Sequence, residues 1–310
     1  MFALTLANLL ACILTAVICI RKGVFPRRQS RTLQLQKQKS ILQKGLYLFL
    51  YNSCFYFILI SIRTIISVNY TVEEFGYFTF SFTIANAVML LLDSFNTILF
   101  PKTIDLMSSD DNKKKADALE KMRVGYILTS HMLVYLAMIC FPILVWFIPK
   151  YMPALSSMNM IALAVLMNTN SYGYSNMLIA QNKEHKAGFI SAVSLIVNII
   201  LGLGLAKILN VEYSYITIAI LVAYMISSFL MAYEGDTILR REKSVSYTLK
   251  HFFPIRMFIP YMIALIISCT QIEYLIFIPL LVFIMLNYKD LQFLKNIALK
   301  LIKEPEVIDV

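Results

Sequence analysis

"GLYLFLYNSCFYFILISIRTIISV" (residues 45–68) is apolar over 24 positions except for a few hydroxyls, Asn52 and a single charge, Arg63. About 20 such residues cross the hydrocarbon core of a bilayer as a helix. An arginine near the middle of that helix costs roughly 2.5 to 3.5 kcal/mol on insertion scales, so it needs a reason to be there. The rest of the chain reads the same way. Of 310 residues, 59% are hydrophobic and 15% charged, and the mean hydropathy is +0.71. These values exclude a soluble globular protein and predict an all-α, polytopic transmembrane helix bundle.

Nine stretches qualify as spans: 1–20, 45–68, 76–100, 124–148, 152–181, 187–208, 213–233, 253–269 and 273–288. The last two form a hairpin around Thr270 to Glu273. Residues 1–20 lack a positive n-region and a small-residue cleavage site, so they read as a span and not as a removed signal. All of the 28 lysines and arginines except Arg63, Lys150 and Lys207 fall on alternate connections: 21–44, 102–123, 182–186, 234–256 and the tail. By the positive-inside rule the chain is N-out and C-in. The net charge of +10 follows from that asymmetry and the anionic inner leaflet, so no nucleic-acid partner is expected. The acid-free segment 21–44 reads as an interfacial basic linker on anionic membrane lipids, or as a plain topology-setting loop.

Positions 3, 4, 7 and 11 apart share a helix face. Asn52, Tyr56, Arg63 and Ser67 form one such polar stripe, and Thr79, Thr83, Asn86, Asp93 and Thr97 form another. "MNTNSYGYSN" (167–176) adds Asn168, Ser171, Tyr172 and Ser175, with Gly173 placed to loosen the helix. Ser191, Ser194 and Asn198 align further on, as do Thr217, Tyr224 and Ser228. Lipid does not accept these faces, so they meet water or other helices. A common hydrated cavity is the reading for the five together. By helical rise Arg63 and Asp93 lie at different depths and do not pair. Arg63 is then a cation in the outer half of the cavity or a side chain snorkelling to the nearby surface, and Asp93 a protonatable site or a structural acid.

No enzyme is indicated. Asp110 and Asp111 sit in a lysine-rich segment, His131, His185 and His251 are scattered, and nine glycines hold no phosphate loop. The five cysteines, Cys12, Cys19, Cys54, Cys140 and Cys269, have no paired or metal spacing and read as small core hydrophobes, with no metal or cofactor. Gly202 and Gly204 read as close-packing positions.

From Gly45 to about Gln181 the chain resembles the polysaccharide flippases of the multidrug/oligosaccharidyl-lipid/polysaccharide exporter superfamily. The stretch "ISIRTIISVNYTVEEFGYFTFSFTIANAVMLLLDSFNTILFPKTIDLMSS" (60–109) carries the likeness through Arg63, Glu73, Glu74, Gly76, Tyr77, Ile84, Ala85, Asn86 and Pro101. Ile62 stands where that family has an Asp, which removes the local partner Arg63 would have in relatives.

The resemblance implies one lobe of a two-lobed exporter. Residues 1–20 would be the last helix of an otherwise missing first lobe, and 21–44 the linker. Residues 45–233 would be the six-helix second lobe, 234–252 a cytoplasmic loop, 253–288 two additional helices and 289–310 a cytoplasmic tail. Either the chain is the C-terminal part of a longer product, or a partner supplies the other wall. The implied activity is the flipping of a polyprenyl-diphosphate-linked oligosaccharide across a bacterial inner membrane, for O-antigen or capsule assembly, alongside other polysaccharide-assembly proteins. Arg63 would attract the diphosphate, Asn52, Tyr56, Asn86 and Asn168 would bind sugar hydroxyls, and Asp93 would answer a coupling proton. A cation-coupled multidrug exporter, a membrane polysaccharide polymerase or glycosyltransferase, and a transport-inactive partial protein are the alternatives.

Overall fold

A computed structural model describes Leu14, Val17, Ile18, Arg21 and residues 31–108, 112–240 and 244–303. The expected span 1–20, with Cys12 and Cys19, lies outside these apart from three positions. Among the described residues there are helices and turns and no strand. The chain divides into two units, Met1–Leu46 and Tyr47–Val310. In the first, residues 36–46 are helical and exposed throughout.

Helix α1 (Arg31–Asn69) and helix α2 (Val72–Ser108) are joined by a tight turn. Thr71 and Glu74 close that turn as a capping box: the backbone N–H of Thr71 donates to the Glu74 carboxylate at 2.9 Å, and that of Glu74 to the Thr71 hydroxyl at 3.2 Å. Helix α3 (Asn112–Phe147) follows, then a 3-10 segment (Pro149–Ala154), α4 (Leu155–Thr169) and α5 (Tyr174–Ala180). Helix α6 (Glu184–Leu203) ends in a π turn (Gly204–Ile208), and a 3-10 turn (Tyr213–Ile216) opens α7 (Thr217–Arg240). The short α8 (Val245–Phe252), then α9 (Ile255–Thr270) and α10 (Ile278–Lys303) complete the order.

Among the described residues six helical segments are long and apolar enough to cross a membrane, and a seventh if α8 and α9, bent by 67°, form one span. The chain is therefore read as a multi-pass membrane protein. Several expected boundaries move. Residues 31–44 of the expected linker are the first turns of α1, because no Gly or Pro interrupts a run of good helix formers there. Much of the expected 102–123 loop is likewise helical, as the end of α2 beyond Pro101 and the start of α3. The expected ninth span, 273–288, is only the opening of α10. Its apolar run stops at Leu286, far short of the roughly 20 residues a span needs.

The core of the second unit is built on α4. Every residue of α4 is buried except Asn168. A helix apolar and buried all round is the centre of a bundle, and α2, α3, α7 and α9 pack against it. At the end where α1 meets α2, side chains tie the connections together. Tyr70 donates to the Val211 carbonyl at 2.6 Å, Tyr213 to that of Pro153 at 2.6 Å and Tyr215 to that of Cys269 at 3.0 Å. Phe80 and Tyr151 stack at 4.0 Å, and Trp146 and Phe147 stand exposed nearby in the chain. Aromatics so grouped mark a membrane–water interface.

The two glycines read as packing positions separate. A Cβ on Gly202 would sit 2.6 Å from the Ile62 side chain of α1, whereas one on Gly204 would meet nothing within 4 Å. Close packing at a third, unremarked position is tighter still, since a Cβ on Gly235 would lie 2.5 Å from the ring of Tyr174. Of the described cysteines only Cys54 is buried, while Cys140 is exposed and Cys269 half-buried. Gly204 has ordinary helical dihedrals. Gly204→Ala should therefore raise stability by about 0.4 to 1 kcal/mol, and Gly235→Ala should lower it by about 1 to 3 kcal/mol through overpacking. Thermal unfolding of the two variants in detergent, which should move in opposite directions, checks both.

Candidate functional site

The helix that begins at Leu155 stops at Thr169 and resumes at Tyr174. Gly173 makes the break possible: its φ of +82° is open to glycine and strained for other residues. A Cβ there would also meet the Leu119 side chain at 2.6 Å. Within the break, the hydroxyl of Ser171 donates to the Asn168 carbonyl at 2.9 Å and that of Thr169 to the Leu166 carbonyl at 2.7 Å.

The break forms one wall of an open cavity of about 470 Å³. Asn168, Thr169, Ser171, Tyr172, Ser175 and Asn176 line that wall. Tyr51 and Asn52 of α1, Asp93 and Asn96 of α2 and Tyr126 of α3 complete it, with Leu48, Ile104 and Ile179. Tyr126 and Tyr172 stack at 4.0 Å. The volume lies in the range of small-molecule sites, which join apolar walls to a few polar groups. Here the polar groups are hydroxyls and amides, with one carboxylate.

Three of the six candidate site residues thus meet in one place, Asn52, Asp93 and Asn168, joined by Ser171, Tyr172 and Ser175 of the same expected stripe. Three do not. Tyr56 lies one turn beyond Asn52 on the same helix and is exposed, and Asn86 is half-buried about 10 Å along α2 from Asp93. Arg63 is not buried in a cavity. It is exposed, roughly 16 Å along α1 from Asn52, with its guanidinium 5.4 Å from the centre of the Phe75 ring. Only six residues separate it from Asn69 at the turn, so the aromatic interface and a cation–π contact answer the desolvation cost that its place in the sequence implies. Asp93 is exposed at the cavity.

The stripes on α6 and α7 also go elsewhere. Ser191, Ser194 and Asn198 are buried, and the Asn198 amide donates to the Ile58 carbonyl at 2.9 Å and to the Ser61 hydroxyl at 2.8 Å. Thr217 donates to the Ser214 carbonyl, Tyr224 to that of Phe55 and Ser228 to that of Met167. Asn198, Tyr224 and Ser228 thereby join helices, as buried hydroxyls and amides commonly do in membranes, while Thr217 bonds within its own opening turn.

Sequence reasoning missed Tyr51, Asn96 and Tyr126, because only side chains on a recognised stripe were considered and α3 showed none. It also placed Arg123 among loop charges. Arg123 is buried. It donates from Nη1 to the carbonyls of Asn170 at 2.7 Å and Tyr172 at 3.2 Å, and from Nη2 to that of Phe252 at 3.3 Å. His131, scattered in sequence, is buried against the Phe283 ring at 5.6 Å with Nδ1 3.2 Å from the Tyr135 hydroxyl.

Comparison with protein-family models, with curated proteins and with solved structures found no match to this chain. The cavity also separates the two fates of polar stripes in a testable way. With the native cysteines replaced, single cysteines at 52, 93 and 168 should react with a membrane-impermeant maleimide in native vesicles or detergent. Cysteines at 194 and 198 should stay unreacted until the protein is denatured.

Proposed function

We propose that the chain translocates an amphiphile with a sugar-bearing, anionic head group, of the polyprenyl-diphosphate-linked oligosaccharide class, across a bacterial inner membrane. The observation that carries this reading is the polar cavity at the helix break, open beside α1 and α2 and rich in hydroxyl and amide groups. Such groups match the dense hydroxyls of a saccharide, and a volume of about 470 Å³ exceeds what one coupling ion needs. Discontinuous helices that line a cavity are also how many transporters build their sites.

In this reading the head group occupies the cavity while the polyprenyl chain remains in lipid. Asn52, Asn168, Ser171 and Asn176 hydrogen-bond sugar hydroxyls, and the Tyr126–Tyr172 pair supplies an apolar ring surface. Asp93, the one carboxylate of the lining, is the group through which a coupling proton would act. Arg63, with Tyr56 and Asn86 between it and the cavity, receives the diphosphate near the interface at which α1 meets α2. The exposed polar edges of α1 and α2 call for a further wall of protein or water, since lipid leaves such groups unsatisfied. A cation-coupled drug exporter would use the same Asp93 and is separated by substrate.

Reconstituted into liposomes, the protein should move a fluorescent polyprenyl-diphosphate oligosaccharide between leaflets, read by its accessibility to a membrane-impermeant quencher. Asn168→Trp, which fills the cavity, should reduce the rate at least roughly tenfold, the scale expected for losing a positioned binding contact. Arg63→Ala should slow transfer while Arg63→Lys retains it. Translocation equal in wild type and Asn168→Trp, or transport of an apolar cation alone, rejects the proposal.

A further inference from the structure

A break in a membrane helix frees carbonyl oxygens that lipid cannot satisfy. Here the carbonyls of Asn170 and Tyr172 within the break accept from one guanidinium, and the last residue of α8, Phe252, turns its carbonyl to the same group. The guanidinium carbon of Arg123 lies 4.2 Å from the centre of the Tyr174 ring, the first residue of α5. Asp236 on α7 is buried and accepts a hydrogen bond from the Thr248 hydroxyl of α8 at 2.8 Å. A single side chain of α3 thus touches both halves of the broken helix and the end of α8.

We propose that Arg123 is the positioning residue of the cavity: a built-in cation that holds the break in its observed shape and joins the cavity wall to α8. Tyr172 contributes its carbonyl to Arg123 and its side chain to the cavity lining, so whatever moves one moves the other. Discontinuous helices elsewhere offer their unwound carbonyls to free cations. In this chain the cation is covalently attached, and a planar fork with several donors suits three diverging carbonyls as a compact ammonium does not. A charge whose role was only to set topology would lie in the headgroups. Arg123 is 7% exposed and donates to three backbone carbonyls. The inference holds whatever the cavity binds.

The test places one cysteine at Ser175, buried in the cavity wall, or at Ser81, buried beside the Ala154 carbonyl at the opposite end of α4, in a protein without native cysteines. Arg123→Ala should raise the maleimide reaction rate of Ser175→Cys by roughly tenfold or more, the least that loss of a charged hydrogen bond implies for a local opening. Ser81→Cys should not change. Millimolar guanidinium should return the Ser175→Cys rate toward that of the parent, and ammonium should not. An unchanged rate at 175, an equal rise at 81, or rescue by neither ion overturns the proposal. Should Arg123→Ala fail to fold, Arg123→Lys keeps the charge, and a rate at 175 equal to the parent's in that variant overturns it as well.

Discussion

Lipid offers a freed backbone carbonyl no hydrogen-bond donor, and this one constraint explains how each irregular segment of the bundle is built. At several of the described places where a helix stops, a side chain from a neighbour supplies the missing donor. Arg123 serves the break before α5. Ser81 reaches the Ala154 carbonyl at 2.9 Å and Tyr213 that of Pro153. Ser156 reaches that of Ser268 at 3.0 Å, and Tyr70 that of Val211 just beyond the π turn. Ser81, Ser156, Tyr70 and Tyr213, which look like scattered polarity in the sequence, are therefore the partners of particular irregular segments.

The fold class was legible because hydrophobic runs of membrane length leave few alternatives, and the break was foreshadowed by Gly173 within a run of amides and hydroxyls. What remained hidden follows from what periodicity measures. A stripe records which residues share a face and says nothing of what lies opposite. Asn52, Asp93 and Asn168 have space before them, whereas Asn198 and Ser228 have another helix, and the sequence pattern of the two groups is the same. Arg63 and Arg123 show how little the position of a charge in the sequence says of its surroundings. Distance from the helix end left Arg63 either a cavity or the nearby surface, and the turn and the Phe75 ring bring it to an interface. Position in a basic run suggested exposure for Arg123, yet the helix begins at Asn112, twelve residues before the expected span.

The same interplay shapes the cavity. Its wall is a place where regular hydrogen bonding lapses, and side chains normally consumed by packing are presented outward. Asn168 is the one residue of the central helix that escapes burial, and it does so next to the break. Geometry that would be a liability in a plain span thus becomes the means of placing polar groups in a membrane interior.

The near-complete burial of α4 sets how the protein can move. A rod gripped on all sides by interlocking side chains cannot spin or slide on its own without rebuilding every contact. The outer rods are gripped far less: in the apolar windows of α1, α2 and α6 only 22%, 33% and 33% of residues are buried, against 83% for the segment containing α4. What freedom the bundle has therefore lies with α1, α2 and α6, arranged around a fixed α4.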